Sequence, residues 1–273
     1  MTASKHQFPQ PSSEAIETLP EFIRILLSQD SGMVTIKPRV LFQIIEESNS
    51  TPPLYSTAIP SSKIGSITTL EASLLCSLLM ICKPSKIFEF GTFLGYTTSL
   101  FLLNSSPNTK VVSLDLPEEK KPAKDEALDF DWEKVQTNDD YNDRYLSHFA
   151  QRMGEIYLKR FSSDSRLELI KIDSRFLVDH LEELNYRGKF DYIFIDGGHS
   201  FEIASIDTHN AMIMLSERGV LIWHDYGSQL HTNVTDVVEM FARDGVIVRI
   251  QSTMLAFYFA DKHRFFHSLN MHT

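Results

Sequence analysis

The sequence predicts an α/β protein built on a mostly parallel sheet, and three observations carry that prediction. Short apolar runs of strand character alternate with helical stretches between residues 86 and 223. One run, Ile87-Phe-Glu-Phe90, passes through the glycine turn Gly91-Thr-Phe-Leu-Gly95 into a helix. Four runs end in an acid, at Asp115, Asp173, Asp196 and Asp225, where an open parallel sheet presents side chains to a ligand.

Taken in order, residues 1–13 are polar and proline-containing and are expected to be disordered. Residues 13–20, Glu21 to Leu27 and Val40 to Glu47 read as short helices, so that 1–63 forms a tail and helical cap on a domain spanning 64–273. Dense Pro and Ser mark 50–62 as a loop. Leu70, Leu74, Leu75, Leu78 and Leu79 then share one helical face, with Thr68 or Thr69 capping ahead of Glu71. Strands follow at 86–90, 110–114, 167–172, 190–195 and 219–223. Helices are expected at 97–103, 175–184 and 201–215, the last two closed by glycine turns at Gly188 and Gly219. Val246 to Ile250 and Met254 to Phe259 form a hairpin across Gln251-Ser-Thr, which places an antiparallel strand at one sheet edge. The interval 117–165 is too long for a simple connection and reads as an insertion, either a surface element or a lid, with Phe130, Trp132, Tyr141 and Tyr145 as aromatic wall candidates.

Composition narrows the function. At 273 residues and a formal net charge of −10, with no stripe of Lys and Arg, the chain is not built to bind nucleic acid. The N-terminal residues lack an apolar signal core, and no stretch approaches the roughly 20 apolar residues that span a bilayer, so a soluble, cytoplasmic protein with no membrane partner is expected. Cys76 and Cys82 lie in or just after an apolar helical run and read as reduced core thiols. The apolar N-terminal helices leave room for a homodimer.

The glycine turn points to a ligand. Its Gly91-x-x-x-Gly95 spacing differs from the Gly-x-Gly-x-x-Gly of dinucleotide pyrophosphate sites, and Glu89 beside a helix N-terminus would repel phosphate yet attract an ammonium. S-adenosylmethionine carries such a group. Asp115, 24 residues after Gly91, stands near the spacing at which an acid accepts hydrogen bonds from a ribose diol. Asp173 and Ser174 offer polar atoms to an adenine edge, and Gly197-Gly198 lets the backbone turn beside a ligand after Asp196. His199 and His224 are candidate general bases, and Asp196 with Asp225 is a candidate Mg²⁺ pair, to which Asp207 would add a carboxylate if its helix faces inward.

With these residues in view, the chain resembles the class I S-adenosylmethionine-dependent methyltransferases, in the small-molecule O-methyltransferase branch. The resemblance covers 64–260 and rests on Glu89-Phe-Gly-Thr-Phe-Leu-Gly-Tyr-Thr97, Phe190-Asp-Tyr-Ile-Phe-Ile-Asp-Gly-Gly-His-Ser-Phe-Glu202 and Gly219-Val-Leu-Ile-Trp-His-Asp-Tyr226. It implies a Rossmann-like seven-stranded sheet ending in the antiparallel hairpin, and a methyl group transferred to an oxygen, less readily a nitrogen, of a small metabolite. It also implies that Glu89, Gly91, Thr92, Phe93, Gly95, Tyr96 and Thr97 surround the methionine end. Asp115 and Leu116 then meet the ribose, and Asp173, Ser174, Asp196 and Gly197 complete the cofactor site. Metal-dependent relatives carry Asn after the second acid, where this chain has Tyr226. Two other readings compete: a methyltransferase-like binding module without chemistry, and an NAD-dependent oxidoreductase, which Glu89 and the glycine spacing disfavour.

Overall fold

The computed structural model describes residues 15–49, 53–61, 67–120 and 130–269. The expected disorder of 1–13 lies outside these residues. The chain opens with α1 (Leu19–Ser28), β1 (Gly32–Ile36), α2 (Pro38–Ser48), α3 (Thr69–Cys82), β2 (Lys86–Phe90), α4 (Tyr96–Asn104) and β3 (Lys110–Asp115). The insertion supplies α5 (Trp132–Thr137) and α6 (Asp139–Met153), followed by β4 (Leu167–Lys171), α7 (Leu177–His180), β5 (Phe190–Ile195), α8 (Phe201–Met214) and β6 (Leu215–Trp223). The described chain closes with α9 (Thr232–Phe241), β7 (Val246–Ile250), β8 (Ala256–Phe259) and α10 (Lys262–Ser268).

The strands form one sheet in the order β1-β7-β8-β6-β5-β2-β3-β4, in which only β8 runs antiparallel to its neighbours. β5 lies at its centre, and all six of its residues are buried, as a strand covered on both faces requires. One face packs on an apolar layer that includes residues of α1 to α4, and the other on residues of α7 to α9. The sheet therefore sits between two helical layers, and its strand ends are left free to build a site.

Four expectations change. The sheet has eight strands rather than seven, because Gly32–Ile36 of the expected helical cap pairs in parallel with β7. Only Val34 and Ile36 of that run are buried, too short a signal to stand out between Gly32 and Pro38. The hairpin is consequently not at an edge: β8 lies between β7 and β6, and β1 covers the outer side of β7. Residues 13–20 do not form a helix of their own within the described part, since Ile16 bridges to Ile36 and α1 starts at Leu19. Gly219 is not a turn after α8 but lies inside β6, which starts directly at Leu215, near the place where the register with β5 shifts.

Local chemistry explains the best-matched elements. Thr68 and Glu71 form a reciprocal capping box that starts α3, and Lys83 in the left-handed conformation ends it. Leu70 falls on the exposed side of that helix, while Leu74, Leu75, Leu78 and Leu79 are buried. Among the described residues, no helix is long and apolar enough to cross a membrane.

Candidate active site

A cavity of about 740 Å³ opens at the carboxyl ends of β2, β3, β5 and β6. Its floor is the turn after β2. Gly91 has φ +94°, and a Cβ there would lie 2.0 Å from the Asp196 carbonyl oxygen, so only glycine lets the β2 and β5 loops touch. Thr92, Phe93, Tyr96, Thr97, Asp115, Leu116, Asp173, Ser174, Asp196, Gly197, His199, His224 and Asp225 line the cavity with Gly91. Two expected cofactor residues do not. Gly95 turns away, its missing Cβ 2.3 Å from Leu158 Cγ of the insertion, and Glu89 stands behind the wall at 1 % exposure.

Glu89 is nonetheless tied to that wall. Its Oε2 accepts from Ser113 Oγ at 2.6 Å and from Thr98, while its Oε1 is buried without a partner. Burial raises its pKa to about 8; the Ser113 and Thr98 hydroxyls work against that rise, and the charges of Asp196 and Asp115 add to it. At β3, Asp115 takes the Leu116 N–H at 2.9 Å and the Lys171 ammonium at 3.3 Å. Asp173 is held on both oxygens by Arg175, at 2.9 and 2.6 Å. That guanidinium keeps the Asp173 carboxyl below its ordinary range despite burial.

The opposite end of the cavity is a string of acids and imidazoles. His199 pairs with Asp143 of α6 through Nδ1 and through its backbone N–H, which donates at 3.0 Å. Its Nε2 lies 3.1 Å from Asp225 Oδ2, the same oxygen that His224 Nδ1 meets at 3.1 Å. His224 Nδ1 also stands 3.2 Å from Asp196 Oδ1, and its Nε2, 3.7 Å from Glu71 Oε2, has no hydrogen-bond partner. Burial alone would lower both histidines, yet the Asp143 and Asp225 partners of His199, and the Asp225 and Asp196 partners of His224, raise each pKa well above its ordinary value. Asp225 is correspondingly held well below its own, against burial, by His224 and His199. It also adopts φ +59°, a left-handed backbone that a non-glycine residue takes only under local constraint. His231 completes the cluster, stacked on His199 with ring centroids 3.7 Å apart and bonded to Asp139 at 2.7 Å.

Asp139, Asp143 and His231 go beyond the sequence expectations. The i, i+4 spacing of the two acids on α6 was the available signal, and it puts both on the face that meets the histidines. Of the aromatic candidates, Trp132 and Tyr145 line the cavity, whereas Phe130 and Tyr141 pack on each other with centroids 5.8 Å apart. Asp207 does not join Asp196 and Asp225. It sits on α8 beside Ser174 and Gly197.

A family model described as a methyltransferase domain matches residues 88–226, half of the chain, and the protein belongs to that family. No curated protein matches it. Among solved structures, the chain is similar to the S-adenosylhomocysteine-bound methyltransferase PaMTH1 of Podospora anserina, with 13 % identity, a TM-score of 0.50, and coverage of 89 % of this chain and 95 % of that one. It is also similar to an O-methyltransferase of Bacillus cereus in complex with S-adenosylhomocysteine, at 14 % identity, TM-score 0.46, covering 88 % of this chain and 96 % of that one. At 13 % identity the likeness to PaMTH1 shows the fold alone.

Proposed function

We propose that this methyltransferase moves the methyl group of S-adenosylmethionine to an oxygen of a small metabolite. The observation that carries the reading is the two-ended cavity: strand-end polar groups suited to an adenosyl amino acid at one end, and a charged Asp–His string at the other. S-adenosylmethionine supplies an activated methyl on a sulfonium, so the protein's task is alignment and charge. The unpartnered Glu89 Oε1 favours a cation near the β2 turn, and Asp115, which lines the cavity at the end of β3, is assigned the ribose diol. Both solved relatives described above carry S-adenosylhomocysteine, which supports the same ligand here.

At the other end, the surrounding acids raise the pKa of His199 and His224 well above its ordinary value, so the two imidazoles are assigned here as charges rather than as the expected bases. Their charges instead stabilise the oxyanion that develops as the acceptor oxygen attacks. Asp196, with 26 % of its side chain exposed at the cavity wall, receives the hydroxyl proton. The O–CH₃ bond forms as the S–CH₃ bond breaks, and the leaving sulfur becomes neutral.

The same residues offer two sets of donor atoms to a divalent cation. Asp196, His224 and Asp225 each offer a ligand atom within 4.8 Å of the others, as do His199, Asp225 and His231. Mg²⁺ takes oxygen ligands, and Tyr226 adds none, being 4 % exposed with its hydroxyl 3.4 Å from Glu239. Only Asp196 and Asp225 offer it oxygens here, and His224 Nδ1 stands between them at 3.2 and 3.1 Å, so the proposal assigns the charge at this end to His224 and no step to Mg²⁺.

The test is a panel of hydroxylated metabolites incubated with methyl-labelled S-adenosylmethionine and the chelated enzyme. Label on an oxygen, at a rate within twofold of the unchelated protein, is the expected result. Label found only after adding a divalent metal would overturn the role given to His224.

A further inference from the structure

We propose that His231 is a positioning residue for methyl transfer: its ring, laid flat against that of His199, holds the His199 imidazole in the orientation it needs at the acceptor oxygen. The inference deepens the reading of His199 as a charge that stabilises the developing oxyanion, and rests on it.

His199 is already tied at both ring nitrogens. Its Nδ1 pairs with Asp143, and its Nε2 lies 3.1 Å from Asp225 Oδ2. Two such bonds leave the ring able to rock about the line that joins them. His231 supplies the missing restraint, since the two ring centroids stand 3.7 Å apart with their planes only 20° from parallel. A fixed tilt matters because a charge aids a reaction most when it is aimed before the reaction begins, and a misplacement of about 1 Å can cost about 100-fold in rate.

His231 is itself anchored from two sides. Its backbone N–H donates to Ser228 Oγ at 3.1 Å, and the Ser228 N–H donates to the Asp225 carbonyl at 3.0 Å, so the loop after β6 folds back and brings the ring over His199. Its Nδ1 meets Asp139 Oδ1 at 2.7 Å, and Asn233 donates to the other oxygen of that carboxylate at 2.9 Å. Asp139 and Asp143 stand one turn apart on α6, so a single helix face ties both stacked rings. The ring is only 8 % exposed, and burying it beside a carboxylate carries a desolvation cost that these bonds offset. The Asp139 bond fixes where the ring lies; the flat face is what His199 feels.

The experiment follows label from methyl-labelled S-adenosylmethionine into the hydroxylated-metabolite panel, using the full chain and its His231→Ala, His231→Phe and His199→Ala variants. His231→Ala should lower kcat at least fivefold while KM for S-adenosylmethionine stays within twofold, and His231→Phe, which restores a flat ring, should bring kcat to within threefold of wild type. A smaller loss in the alanine variant, a matching rise in KM, or a phenylalanine variant that stays more than threefold slow would overturn the inference. Proton NMR reads the stack without turnover: the ring current of His231 shifts the His199 Cε1–H resonance, and that shift should vanish in His231→Ala and persist in His231→Phe. A resonance that the alanine substitution leaves in place would also overturn it. Should the alanine variant fail to melt cooperatively, the kcat and the His199 resonance of His231→Phe decide. Wild-type turnover in His199→Ala would remove the charge role of His199 and this inference with it, whereas a slow His199→Ala beside an unimpaired His231→Ala would overturn this inference alone.

Discussion

At the β2–β3 end of the cavity, one buried carboxyl is held by the hydroxyls of Ser113 and Thr98. At the β5–β6 end, Asp143, Asp225 and Asp196 are threaded through His199 and His224. The first end is assembled mainly from residues 89–116, the β2–turn–α4–β3 unit, with Asp173 and Ser174 after β4. The second draws on α6, the loops after β5 and β6, and the start of α9. An end whose acids are already paired or held by hydroxyls suits a ligand whose charges arrive with it, whereas a composite string of acids and imidazoles suits a step in which charge develops. The proposal gives ligand binding to one end and chemistry to the other, and each can be broken separately.

The largest effect is expected at the donor end. Gly91→Ala would drive a Cβ into the Asp196 carbonyl at φ +94°, at a cost of about 2 kcal/mol or more, and should reduce S-adenosylhomocysteine affinity by over 100-fold. Calorimetry on a variant that still melts cooperatively would show it, and unchanged affinity would sink the role of the turn. At the other end, His224→Ala leaves Asp196 and Asp225 without the cation between them, and turnover should fall about 100-fold while cofactor affinity stays within threefold. Equal losses in both quantities would erase the division between the two ends. A smaller effect is expected from Asp143→Asn, which weakens the hold of α6 on His199: roughly tenfold in turnover, with faster proteolysis within 132–153. Proteolysis at the wild-type rate would separate α6 from the site.

The same contrast explains what could be read in the sequence. Glu89, Gly91 and Asp115 stand within one strand–turn–helix–strand unit, where spacing alone fixes which side chains meet, and the ends of β2, β3 and β5 fell within a residue of expectation. His199, His224, Asp196 and Asp225 were also legible, because strand ends in a parallel sheet converge. The raised pKa of His199 was not, since it depends in part on Asp143, 56 positions earlier and inside an insertion whose packing no local rule fixes. Strand β1 was hidden for a similar reason: five residues with two buried side chains become a strand only because β7 offers an open edge. Arg175 and Asp207 show the limit most sharply. The sequence placed Asp173 at a strand end facing the ligand; the structure adds that the Arg175 guanidinium two residues on engages both its oxygens, and that a second buried acid, Asp207 on α8, lines the same cavity.

The most direct test of the two-ended cavity is calorimetry with S-adenosylhomocysteine near pH 7 in buffers of different ionisation enthalpy. Glu89, with a pKa near 8, is largely protonated at pH 7 in the free protein. A ligand ammonium bound at the Gly91 turn in front of it favours the carboxylate, so binding lowers that pKa and releases a proton, and affinity rises with pH up to about 8. The expected result is one ligand per chain, heat that changes with buffer in the direction of proton release, and affinity several-fold higher at pH 7.5 than at pH 6. Absence of binding, or binding with no proton released and no change across that range, would contradict the account.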